Sequence, residues 1–98
     1  MTSPADLERI TDKLEQAEAI LPNSEGTARG LAAVRHLLTA CRSEDMPTNG
    51  TRALWVEVAA TMLRLGGGPA SGSDAHALSG QIHELRTAIL EHLARIAY

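Results

Sequence analysis

Apolar residues recur at intervals of three and four through most of this chain. Leu7, Ile10, Leu14, Ala17 and Leu21 fall on one stripe when side chains are placed at about 100° per residue. Glu8, Asp12 and Glu15 then fall near the opposite side. Ser3-Pro4 supplies a cap residue followed by proline at the first helical position, where a missing N–H costs nothing. The pattern predicts a surface helix over about residues 4–21, with one buried face and one acidic face, ending at Pro22-Asn23.

A second helix is expected over about 24–43, with Leu31, Val34, Leu38 and Cys41 as its seam and Leu37 widening it. Gly30 lies beside that stripe. A glycine in mid-helix costs about 1 kcal/mol relative to alanine, so close approach of a neighbouring helix is one reason to keep it. After the loop Glu44-Asp45-Met46-Pro47, a third helix is expected over about 49–65, capped by Thr48 or Thr51. Its apolar set is Leu54, Trp55, Val56, Val58, Ala59, Met62, Leu63 and Leu65, which covers more than half the circumference. One neighbouring seam cannot cover so wide an arc, so this helix is either central or feeds an interface.

Residues 66–73 read Gly-Gly-Gly-Pro-Ala-Ser-Gly-Ser, a flexible linker that opens with a glycine helix stop. The fourth helix is expected over about 74–97, with the seam Leu78, Ile82, Leu85, Ile89, Leu93 and Ile96. Leu90, Ala94 and Ala97 lie off that seam on a second strip near His83. Short connections between four helices imply antiparallel neighbours. The expected fold is therefore all-α: a small antiparallel up-down four-helix bundle forming a single domain over residues 1–98. Two helical hairpins that complete a bundle by dimerising are the alternative.

Composition supports helices over strands. Of 98 residues 44% are hydrophobic, yet there is no Phe, one Trp and one Tyr, and an aliphatic core of this kind suits packed helices better than an aromatic and β-branched sheet. The net charge of −3 is concentrated in residues 1–21, where Asp6, Glu8, Asp12, Glu15 and Glu18 outnumber Arg9 and Lys13. That placement argues against direct nucleic-acid binding and against docking on an anionic membrane. No basic stretch followed by an apolar run opens the chain, and no apolar run reaches membrane-spanning length, so a cytoplasmic location is expected.

Candidate chemistry changes this picture little. His76 and His83 are seven apart, roughly 10 Å along a helix, which is too far for one metal ion. None of His36, His76, His83 and His92 has a Glu three residues before it, as a di-metal carboxylate bundle requires. Cys41, the single cysteine, lies on a buried stripe towards the C-terminal end of its helix, whereas an activated thiolate needs a base or a helix N-terminus. The glycine run follows a helix and is not followed by the Lys-Ser/Thr of a phosphate loop. Trp55 is followed by Val56-Glu57 within a helix, unlike the turn of the small secreted Trp-x-Gly proteins. The Cys…His-x-x-x-Cys set of helical copper-sensing repressors is missing.

The expected function is thus non-enzymatic, with no cofactor and no metal: a protein–protein interaction module acting as adaptor, accessory subunit or homodimeric scaffold. Its partner would be a protein, the chain itself included. The candidate contact residues are Trp55, His83, Leu90, Ala94 and Ala97. The alternative is a small acidic inhibitor, such as an antitoxin or a phage-encoded blocker of a nucleic-acid-binding complex. It would present Glu8, Asp12, Glu15 and Glu18 to a basic groove.

Overall fold

The computed structural model describes residues 3–24, 27–66 and 71–96, which form four α-helices and no strand. They are α1 (Pro4–Ser24), α2 (Ala28–Leu38), α3 (Asn49–Leu65) and α4 (Gly72–Ile96), with a 3₁₀ turn at Ser43–Asp45. This is the expected four-helix bundle. Cross-helix pairs give its direction. Asp74 lies by Arg64, and Gln81 by Thr61; Glu18 meets His83 and Arg86; Arg35 reaches Gly66. Position numbers fall on α3 as they rise on α4, so these two helices run antiparallel.

Each helix start is set by a local polar exchange. Ser3 accepts from the Asp6 N–H at 3.2 Å and donates its hydroxyl back to Asp6 Oδ2 at 2.9 Å, so a carboxylate sits at the positive end of α1. Thr27 accepts from the Gly30 N–H at 3.1 Å. Gly30 consequently belongs to the first turn of α2, not to mid-helix. Thr48 and Thr51 cap α3 together: the Thr51 N–H donates to Thr48 Oγ1 at 3.0 Å, and the Thr48 N–H to Thr51 Oγ1 at 3.1 Å. Ser71 caps α4 by accepting from the Asp74 N–H at 3.2 Å.

Helix bounds differ from the sequence expectation in three places. Helix α1 continues through Pro22 to Ser24. The segment expected as one helix over 24–43 is helical only over Ala28–Leu38. There the Thr39 hydroxyl donates to the His36 carbonyl at 2.6 Å, and the chain turns at Thr39-Ala40 into irregular backbone; a threonine offering its own hydrogen bond competes with the helical ladder. Finally, Gly72 and Ser73, expected in the linker, form the first turn of α4; positions 67–70 of that linker lie outside the described residues.

The core follows the stripes. Leu7, Ile10, Leu14, Ala17 and Leu21 of α1 are all buried, and so are Leu78, Ile82, Leu85 and Ile89 of α4. Helices α1 and α4 pack most extensively, followed by α1 with α2 and α3 with α4, whereas α2 and α3 barely touch. The layer order is therefore α2–α1–α4–α3, folded round so that α2 and α3 face each other across an incompletely closed seam. Length explains this. The 25 residues of α4 span about 37 Å at 1.5 Å per residue, nearly the whole 41 Å long axis of the molecule. The 11 residues of α2 span about 16 Å. Beyond Leu38 the N-terminal half of α3 meets irregular chain instead of helix: Met46 is buried there, and Arg52 Nε donates to the Ser43 carbonyl at 3.2 Å.

Candidate interaction surface

Helix α3 carries too much apolar surface for its position at the edge of the bundle. Val58, Met62, Thr51 and Thr61 are buried, with Leu54 and Leu65 packed beside them. Thr61 is accommodated because its hydroxyl donates to Gln81 Oε1 at 2.7 Å. On the outer side Val56 is 52% exposed and Leu63 83% exposed, with the exposed Ala60 between them. Val56 and Leu63 are seven residues apart, so they fall about 20° apart on the helix and share one stripe. The other exposed large apolar residues described, Leu90 and Ile96 of α4, are six apart and project about 120° from each other. They do not form a patch.

Trp55 connects the outer face of α3 to the open seam. It is half-buried, and with Leu38, Cys41, Val58, Ala59 and Met62 it lines a largely apolar groove of about 370 Å³ between α2 and α3. At one end of the groove the Arg35 guanidinium donates to the Gly66 carbonyl at the C-terminus of α3, where a cation meets the negative end of the helix. Cys41, 3% exposed, is at the wall. Burial, reinforced by Asp45, pushes its thiol up from 9.0 to about 11, so it stays protonated and poorly nucleophilic at neutral pH.

Of the remaining expected contact residues, His83, Leu90 and Ala94 share one exposed face of α4. His83 is exposed, but its Nδ1 lies 2.7 Å from Glu18 Oε1, and Arg86 Nε also donates to Glu18. Leu90 is 43% exposed and Ala94 is exposed on the same helix; Ala97 lies outside the described residues. On α1, Glu8, Asp12 and Glu15 face solvent. Glu18 does not: its side chain is only 15% exposed, held in the α1/α4 seam by His83 and Arg86. Its position about 60° from the centre of the apolar stripe, where Glu8, Asp12 and Glu15 lie 120° or more away, is the signal in the sequence that separates it from them. Val56 and Leu63 were present in the apolar arc, but nothing in the sequence said which part of that arc would stay uncovered.

Among the described residues no three His, Cys, Asp or Glu side chains are grouped to hold a metal ion. A cleft between α1 and the 3₁₀ turn is lined by Asp6, Arg9, Lys13, Glu44 and Asp45, a mixture of signs that creates no strong field for an ion of either charge. No described helix is long and apolar enough to cross a membrane. Comparison with protein-family models, with characterised proteins and with solved structures gives no match.

Proposed function

We propose that this protein is a non-enzymatic association module whose contact surface is the outer face of α3, extending through Trp55 to the α2/α3 groove. One observation carries the reading: Val56 and Leu63 share an exposed apolar stripe on an edge helix. Apolar side chains left exposed along one helix face are a mark of interaction sites. Adaptor, accessory subunit and homodimeric scaffold all use such a face. Replacing Leu63 with a photo-crosslinking residue in the native host is expected to give one discrete crosslinked product. Product from position 90 and none from position 63 would move the contact to the α4 strip; none from either would end the reading.

A second reading has its own support, since Glu8, Asp12 and Glu15 form an exposed acidic stripe on α1. In this reading the chain is an acidic inhibitor that occupies a basic groove, using three carboxylates and not four, because Glu18 is engaged within the bundle. Reversing all three to Lys would abolish salt-sensitive binding to a basic partner. Binding unaffected by the reversal would dispose of it.

A further inference from the structure

We infer that the occupant of the α3 outer face is a second copy of this chain, packed with its α3 antiparallel to the first about a two-fold axis between residues 59 and 60. This rests on the association reading above and names its partner. Along the face, side-chain size reads Val56, Ala59, Ala60, Leu63: large, small, small, large. That order is the same in both directions, so a two-fold axis between residues 59 and 60 sets large residues opposite large ones and small ones at the crossing, with one patch used on both copies as in an isologous interface. The two-fold places Val56 of each copy opposite Leu63 of the other. Ala59 and Ala60 meet their own counterparts at the crossing, where small side chains let the helices approach to the 8–10 Å of ordinary packing.

Charge follows the same symmetry. The charged residues between Trp55 and Gly66 are Glu57 and Arg64, both exposed. They are seven apart and so lie on one edge of the helix, the edge towards α4, where Arg64 is 3.9 Å from Asp74, at the limit of ion pairing. A two-fold axis perpendicular to the helices keeps that edge on the same side in both copies and reverses its direction. Glu57 of one copy then falls roughly 3 Å along the axis from Arg64 of the other, two residues of rise. Two opposite-charge pairs result, whereas a two-fold axis parallel to the helices would put the two charged edges on opposite sides of the contact and pair neither Glu57 nor Arg64 across it. The opposite edge carries Trp55 and Ala59, so the same packing brings the second copy to the mouth of the groove.

The test uses the purified full chain. Sedimentation equilibrium across micromolar concentrations is expected to give a dimer, with Leu63→Arg raising the dissociation constant at least a hundredfold and Leu90→Arg leaving it unchanged. Because Leu63 is 83% exposed, the arginine variant is expected to keep the wild-type helical circular dichroism and melting temperature. Glu57→Arg alone is expected to weaken the dimer about tenfold, and adding Arg64→Glu to restore it. In a Cys41→Ala background, Ala60→Cys should oxidise to a disulfide-linked dimer. Ala53→Cys should not, since antiparallel packing holds the two positions roughly 20 Å apart. A monomer throughout, a dimer indifferent to Leu63→Arg, or cross-linking at 53 equal to that at 60 would overturn the inference. If the purified chain is a monomer while position 63 crosslinks to a different protein in the host, this inference falls and the association reading stands. If position 63 captures nothing as well, both fall.

Discussion

The α1/α4 pair and the α2/α3 pair are built from the same aliphatic alphabet and end in different states. Helix α1, and α4 from Leu78 to Ile89, bury a stripe of large apolar residues, and Leu7, Leu14, Leu21, Leu78, Ile82, Leu85 and Ile89 are at most 1% exposed. The seam is then clasped from outside by Glu18 between His83 and Arg86. Across α2/α3 the only polar tie described is Arg35 to the Gly66 carbonyl, and Leu38 and Trp55 are only partly buried. A narrow stripe can be satisfied by one neighbour. A wide arc on a helix with a short opposite neighbour leaves apolar surface outside, and the fold alone does not cover it.

Truncating the two seams should expose the contrast most strongly. Leu85→Ala or Ile82→Ala is expected to cost about 2–5 kcal/mol in chemical denaturation, while Leu38→Ala, at an already open wall, should cost about 1 kcal/mol. Equal costs would mean that the α2/α3 seam is as well packed as α1/α4. Ionisation of Cys41 should produce the next largest effect. The unfolded thiol releases its proton near pH 9, the folded one near 11, so between these values the unfolded state binds fewer protons and is favoured. The stabilisation is complete below pH 9. About 2 kcal/mol is then lost as the pH approaches 11, a slope that should be missing from the pH dependence of Cys41→Ala.

Smaller changes probe single ties. Gly66 has φ of +64°, a region costly for a side chain even though nothing lies within 4 Å of where its Cβ would be. Gly66→Ala should therefore destabilise by about 1–2 kcal/mol through backbone strain alone, measurable by thermal melts. Glu18→Gln leaves Arg86 partly buried without its carboxylate, an expected loss of about 1 kcal/mol. Glu15→Gln, on the solvated side of the same helix, should change stability by less than about 0.5 kcal/mol. If the two substitutions cost the same, the clasp contributes nothing to the α1/α4 seam.

Much of the architecture was legible because burial follows period. All five stripe residues of α1 and the four from Leu78 to Ile89 are in the core. Cys41 is a more instructive case. It was placed on a buried helical stripe, and it is buried, but from irregular backbone beyond the end of α2. Hydrophobicity predicted its destination and not its conformation, because Thr39 offers the backbone an alternative hydrogen bond that periodicity does not register. Of the expected contact residues that are described, Trp55 borders the exposed apolar face of α3, and His83, Leu90 and Ala94 lie on α4. His83 is exposed and also paired with Glu18, a contact that helical periodicity could not register because the two lie 65 residues apart in sequence.

What the chain order of apolar and polar side chains determines here is which residues must leave water and at which helical phase. Those are local properties: a stripe is the same stripe whatever it packs against. Which helices become neighbours is decided only when α4 runs the full length of the molecule and α2 stops after three turns, because coverage depends on the lengths and positions of distant elements. The apolar arc of α3 was written in the sequence; that Val56 and Leu63 are the part left facing outward is a consequence of where α4 and α2 came to rest.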